Sequence, residues 1–76
     1  MCGMPRRRPN LKEILATNIR GFRAERDWTQ DDLATRSGIS QYYISQLESA
    51  GRNVSIEVLD RLAAAFKVEG FLLLKP

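Results

Sequence analysis

The sequence predicts a compact all-α domain with five helices. Three observations support this: 76 residues suffice for one small domain, hydroxyl residues precede three apolar stretches with helical spacing, and alternating strand patterns are nearly absent. A chain this short buries a modest core, so each helix must contribute to it.

The first helix is predicted to begin after Asn10 and to end near Arg26. Glu13 stands three residues after Asn10, which is the spacing of a capping box. An apolar stripe follows at steps of three and four residues and predicts one buried face, formed by Leu11, Ile14, Leu15, Ile19 and Phe22.

The next three helices share one kind of start. Thr29, Ser40 and Ser55 each stand between two apolar residues at the spacing of a hydrophobic staple, and each is a favoured N-cap. Gly38, between the second and third helices, suits a left-handed C-terminal cap. Two short helices joined by such a turn form a helix-turn-helix.

The fourth helix is predicted from about Ile56 to Phe66. Its inward residues are predicted to be Ile56, Leu59, Leu62, Ala63 and Phe66. The segment 68–74 is predicted to be a last short helix or a strand.

The composition excludes several classes of function. The chain has no histidine and one cysteine, Cys2, so we expect no metal site, no intrachain disulfide, no catalytic residues and no cofactor. No small-molecule ligand is evident. The longest apolar run, Phe71–Leu74, is far too short to span a membrane, and no secretory signal is apparent, so we expect a cytoplasmic protein.

The basic charge is concentrated at the N-terminus. Residues 1–26 hold seven basic and two acidic residues, whereas residues 27–76 hold five basic and seven acidic ones. Residues 1–9, with Arg6–Arg8 and two prolines, are predicted to form a flexible basic tail ahead of a domain spanning 10–76. Because the remainder of the chain is neutral, charge alone supports nucleic-acid binding only weakly.

The helix-turn-helix region resembles a known family. The pattern Gln30-x-x-Leu33-Ala34-x-x-x-Gly38-Ile39-Ser40-x-x-x-Ile44-x-x-Leu47-Glu48 is similar to phage repressors, Cro proteins and related bacterial regulators. The controller branch of restriction–modification systems is resembled by Tyr43-Ile44-Ser45-x-Leu47-Glu48 and by the later Arg52-Asn53-x-Ser55. Two features depart from it: Val54 stands where many relatives have proline, and Ala50-Gly51 alters the usual placement of glycine. The resemblance implies a lambda-repressor-like fold that binds double-stranded DNA and regulates transcription as a repressor or controller.

The third helix has a polar, uncharged face opposite Ile44 and Leu47. Such a face fits the major groove, so we expect base contacts from Gln41, Tyr42, Ser45 and Gln46. Glutamine pairs best with adenine, which predicts A·T pairs beneath Gln41 and Gln46.

The family resemblance implies further roles. Contacts to the DNA backbone are expected from Thr29, Gln30, Ser40, Tyr43, Arg52, Asn53 and Arg23. Relatives pair an arginine late in helix 1 with the glutamate that ends the recognition helix, which predicts an ion pair between Arg23 and Glu48.

The apolar C-terminal segment predicts a homodimer. A small monomer cannot bury all of Phe71–Leu74, and exposed apolar patches normally mark an interaction surface. The expected interface consists of Val58, Ala65, Phe71, Leu72 and Leu74. A dimer would bind a two-fold symmetric operator. The alternative function is a protein-binding module, such as the DNA-binding antitoxin of a toxin–antitoxin pair.

Overall fold

The computed structural model describes residues 10–76, which form four α-helices and a C-terminal 3-10 helix. The α-helices are α1 (Leu11–Arg26), α2 (Gln30–Ser37), α3 (Gln41–Glu48) and α4 (Ile56–Phe66), and the 3-10 helix is Gly70–Leu74. The all-helical prediction is confirmed for these residues. The predicted tail, residues 1–9, lies outside the described part of the chain.

The predicted N-caps are confirmed for all four α-helices. The side chains of Asn10, Thr29, Ser40 and Ser55 each accept a hydrogen bond from the backbone N–H three residues later. At α2 the capping box is complete, because the Asp32 carboxylate also accepts from the Thr29 N–H at 2.9 Å. These local bonds satisfy backbone donors that would otherwise lack a partner, and so define where each helix begins.

The core lies where the four α-helices and the 3-10 helix meet. Its fully buried side chains are Ile19, Leu33, Ile44, Leu47, Leu62, Phe66 and Leu73. Phe66 stacks against Trp28 with ring centroids 5.7 Å apart and packs against Phe22 at 5.2 Å. Arg26 closes this cluster, because its guanidinium lies 5.2 Å from the Phe66 ring and donates to the Phe66 carbonyl.

The predicted fifth helix is a short 3-10 helix, and no strand occurs within residues 10–76. Leu73 inserts fully into the core from this segment. The side-chain amide of Asn18 in α1 donates to the carbonyls of Leu73 and Lys75 at 2.8 and 2.9 Å. These contacts hold the segment against α1 over more than 50 residues of intervening chain, which local sequence pattern does not reveal.

Two residues predicted to face inward are exposed. Leu11 in the first turn of α1 is 61% exposed, and Ile56 in the first turn of α4 is 81% exposed. Both helices start beyond the edge of the core, so their first apolar residues have no core to enter. Leu11 and Ile56 instead line a groove of about 330 Å³ together with Leu59 and Leu74.

Residues 10–76 contain neither a membrane-spanning helix nor a metal-binding cluster. No helix within residues 10–76 is long and apolar enough to cross a bilayer. Over the same range, no group of three His, Cys, Asp or Glu side chains is arranged to hold a metal ion.

Candidate nucleic-acid interface

The turn between α2 and α3 sets the orientation of the two helices. Gly38 adopts a left-handed conformation with φ of 74°, as predicted, and its N–H donates to the Ala34 carbonyl at 2.9 Å. The Ser37 hydroxyl donates to the Leu33 carbonyl, and Ile39 inserts into the core directly after the turn. The chain therefore leaves α2 and enters α3 along one defined path.

α3 has one buried apolar face and one exposed polar face. Ile44 and Leu47 are fully buried against the other helices. Gln41, Tyr42 and Ser45 are exposed and Gln46 is half-buried, so the four predicted base-contacting residues lie together on the outer face. Tyr42 is 68% exposed despite its size, which leaves its ring available to a partner.

The C-terminal end of α3 is attached to α1 through Glu48. Arg23 binds the Glu48 carboxylate with both ends of its guanidinium, Nε to Oε2 at 2.6 Å and Nη2 to Oε1 at 2.9 Å. Its third nitrogen, Nη1, donates to the Trp28 carbonyl at 2.7 Å. The hydrogen bonds and the negative charge of Glu48 raise the pKa of Arg23 above its ordinary value, although burial opposes this.

Two further residues extend this attachment, which we call the Glu48 clamp. Gln30 at the start of α2 donates from Nε2 to Glu48 Oε1 at 3.1 Å, so α1, α2 and α3 meet at one carboxylate. Arg20 in α1 donates to the backbone carbonyl of Glu48. The last turn of α3 holds no basic residue, so these α1 arginines supply the positive charge that suits a helix C-terminus. Sequence reasoning missed Arg20 because its partner is 28 residues away.

A second network lies on the exposed side of α3. Gln46 donates from Nε2 to the Tyr42 hydroxyl at 3.0 Å, and Arg52 donates from Nε to Gln46 Oε1 at 2.6 Å. The Arg52 guanidinium also lies over the Tyr43 ring, 4.4 Å from its centroid. The loop after α3 thus turns back onto the exposed face, and Arg52 lies beside residues predicted to contact bases.

The loop after α3 contains a left-handed alanine. Ala50 has φ of 59°, and its N–H donates to the Leu47 carbonyl at 3.1 Å. The next N–H, of Gly51, donates to the Gln46 carbonyl at 2.9 Å. The residue that departs from the expected placement of glycine therefore adopts the backbone conformation that glycine favours.

The remaining predicted backbone-contacting residues occupy the helix starts and the loop. Thr29 and Ser40 use their hydroxyls as N-caps of α2 and α3. The Asn53 carbonyl accepts from the Tyr43 hydroxyl at 3.4 Å. At the start of α2, hydrogen bonds from the Thr29 backbone and side chain lower the pKa of Asp32 below its ordinary value of 3.8.

The predicted dimer residues lie on α4 and the 3-10 helix, which pack against each other. Val58, Ala65 and Leu74 are half-buried against the core. Leu72 is half-buried and Phe71 is 67% exposed. The segment therefore buries Leu73 while leaving Phe71 largely in solvent.

Comparison with known proteins supports this architecture. A helix-turn-helix family model matches residues 19–73. A hypothetical transcription factor of Neisseria meningitidis is 34% identical over 67 residues, which cover 88% of this chain and 63% of the relative. The chain therefore spans less than two thirds of that relative's length.

Solved structures show the same fold. The crystal structure of a hypothetical transcription factor from Neisseria has a TM-score of 0.85 and 32% identity, covering 97% of this chain and 88% of that one. The restriction–modification controller protein C.Esp1396I, crystallised as a tetramer with its natural 35-base-pair operator, has a TM-score of 0.77 and 29% identity, with 87% of each chain covered. From its sequence and its architecture, the chain belongs to the helix-turn-helix family.

Proposed function

We propose that the chain is a sequence-specific DNA-binding transcriptional regulator without catalytic activity, and that it acts as a homodimer on a two-fold symmetric operator. The observation that carries this proposal is the exposed polar face of α3, held in place at its end by the Glu48 clamp. A rigidly positioned helix with hydroxyl and amide groups on its outer face suits the major groove of B-DNA.

The relatives favour a regulator over the antitoxin alternative. One is described as a transcription factor and another as a controller protein bound to its operator. The family model matches residues 19–73, a range that includes all of α3. We therefore place double-stranded DNA, rather than a second protein, against this face.

In the proposed complex, four residues of α3 contact the bases: Gln41, Tyr42, Ser45 and Gln46. Six residues contact the phosphates and so position the domain on DNA: Thr29, Gln30, Ser40, Tyr43, Arg52 and Asn53. Gln30 retains one amide hydrogen beyond the one it gives to Glu48, and the start of a helix attracts anions. Arg23 also contacts a phosphate in this complex, through the two guanidinium hydrogens that Glu48 and Trp28 leave free.

The proposed dimer forms through α4 and the 3-10 helix, with Val58, Ala65, Phe71, Leu72 and Leu74 at the interface. Phe71 supports this surface most strongly, since a largely exposed phenylalanine beside further apolar side chains favours a partner. A two-fold axis there would present two copies of α3 to successive major grooves.

Selection from a random duplex pool tests DNA recognition. We expect the enriched sites to be two-fold symmetric, with half-site centres about 10–10.5 base pairs apart or a multiple of this spacing. Enrichment of no motif would refute sequence-specific binding, and enrichment of a single asymmetric site would refute the symmetric dimer.

Sedimentation at micromolar concentration tests the interface. We expect wild type to sediment as a dimer and both Phe71→Asp and Leu72→Arg to sediment as monomers. Tyr42→Arg is the matched control for sedimentation, because Tyr42 is as exposed as Phe71, 68% against 67%, but lies on α3. A monomeric wild type, or dissociation by Tyr42→Arg alone, would contradict the proposed interface.

A further inference from the structure

The network on the exposed side of α3 determines which atoms Gln46 presents to DNA. An unconstrained glutamine offers one acceptor and two donors, and its amide turns to suit adenine. Here the amide oxygen accepts from Arg52 Nε at 2.6 Å, while Nε2 donates to the Tyr42 hydroxyl at 3.0 Å. The orientation of the amide is therefore fixed before any DNA arrives.

Arg52 is itself restrained by its neighbours. Its guanidinium lies over the Tyr43 ring at 4.4 Å, and the Tyr43 hydroxyl donates to the Asn53 carbonyl at 3.4 Å. Within residues 10–76, the two Nη groups of Arg52 donate to no protein acceptor, so the outer end of the guanidinium remains available to a ligand. A stacked guanidinium loses less conformational freedom on binding than a fully mobile one.

The groups left for a ligand are almost all donors. The donors are the Arg52 Nη hydrogens, the second Nε2 hydrogen of Gln46 and the hydroxyl hydrogen of Tyr42. The Gln46 oxygen already accepts from the charged Arg52 and keeps only its second lone pair. Guanine presents two adjacent acceptors in the major groove, O6 and N7, whereas adenine presents one acceptor beside the donor N6. A donor-rich surface therefore matches guanine and places donor against donor at adenine.

The geometry points to Arg52 and Gln46 as one composite reading unit, in which Arg52 fixes the Gln46 amide and the two together select a guanine. This inference rests on the proposed DNA-binding function and assigns the specificity of one position in the site. It replaces, for Gln46, the preference for A·T pairs that the isolated side chain predicts, and it gives Arg52 a base contact in place of its proposed phosphate contact. The expectation for Gln41 is unchanged, since the network leaves Gln41 out.

The test compares sites enriched from a random duplex pool by wild type, Arg52→Lys and Gln46→Ala. Lysine preserves the charge needed for a phosphate contact, but it lacks the fork that reaches Gln46 and a base together. We expect wild type to enrich a guanine column that becomes degenerate in both variants while the rest of the motif persists. Replacing that guanine by adenine in the enriched duplex should weaken wild-type binding roughly 5- to 150-fold, and Arg52→Lys binding less than twofold.

Arg36→Lys is the matched control, since Arg36 also lies over an aromatic ring, that of Trp28, at 4.4 Å. It should enrich the wild-type motif with the guanine column intact. If Arg52→Lys keeps the wild-type guanine dependence, or if the column that changes in Gln46→Ala is adenine in wild type, the composite unit is overturned and the proposed function stands. If wild type enriches no motif, the proposed function fails and this inference fails with it.

Discussion

Replacing Arg23 and Glu48 by alanine, singly and together, measures how strongly the Glu48 clamp holds α3. The Glu48 side chain is only 5% exposed and shares two charge-assisted hydrogen bonds with Arg23. Removing one partner of a buried pair costs about 3–5 kcal/mol, because the other charge is left unpaired. Arg23 is 20% exposed and admits some water, so we expect about 3 kcal/mol for Arg23→Ala.

We expect a similar loss of about 3 kcal/mol for Glu48→Ala and about 4 kcal/mol for the double variant, which gives a coupling energy of about 2 kcal/mol. Urea unfolding followed by Trp28 fluorescence measures the free energy of unfolding of each variant, since Trp28 is the only tryptophan and stacks on Phe66 in the core. With a denaturant slope near 1 kcal/mol/M for a small domain, the midpoint for Arg23→Ala should fall by about 3 M.

The exposed pair Arg61–Glu57 provides the matched control. Its closest atoms lie 3.5 Å apart at i,i+4 spacing on α4, and both side chains are at least half exposed. Such pairs couple by about 0.3–0.5 kcal/mol. A coupling this small between Arg23 and Glu48 would refute the reasoning that their pair holds α3 against α1.

Three further outcomes are expected. Gly21→Ala should stabilise the domain by about 0.5–1 kcal/mol in urea unfolding, because a Cβ there meets no atom within 4 Å and alanine favours the helix; a loss of stability would contradict this. Asp32→Asn should lower the melting temperature at pH 7. The difference in melting temperature from wild type should shrink as the pH falls below about 3.8, because a carboxylate with a lowered pKa stabilises the fold only while it is ionised. Asp31→Asn is the control, and a difference for Asp32→Asn that does not change with pH would contradict the capping role. DNA affinity should fall with salt at a log–log slope of about −5 to −9, and deletion of residues 1–9 should flatten the slope without changing the preferred site; an altered site would show that this segment reads bases.

The helix starts could be predicted because capping is local. Asn10, Thr29, Ser40 and Ser55 each satisfy a backbone N–H three residues ahead, so one short stretch of sequence contains the whole interaction. The left-handed turn at Gly38 is local in the same sense.

The C-terminal segment could not be predicted in this way. Its 3-10 form coincides with the insertion of Leu73 into the core and with hydrogen bonds from Asn18, which lies 54 or more residues earlier. The exposure of Leu11 and Ile56 could not be predicted either, because periodicity identifies a helix face but not where the core beneath it ends.

The candidate interface could likewise be predicted only in part. The polar face of α3 follows from helical periodicity alone. The Arg20 bond to Glu48 and the Arg52 bond to Gln46 depend on how α1 and the loop after α3 pack against that helix. The family resemblance implied that Arg23 pairs with Glu48, but only the folded arrangement shows that Gln46 is already hydrogen-bonded to Arg52 and Tyr42.

The central claim is that α3 reads base sequence, and the binding of Gln41→Ala to two duplexes tests it most directly. Gln41 is exposed at the first turn of α3, so its substitution would remove the proposed base contact without disturbing the core. Fluorescence anisotropy would compare the duplex enriched by wild type with a scrambled duplex of equal composition. We predict that Gln41→Ala weakens binding to the enriched duplex by roughly 5- to 150-fold and to the scrambled duplex by less than twofold. Equal weakening on both duplexes, or no weakening on either, would contradict the claim.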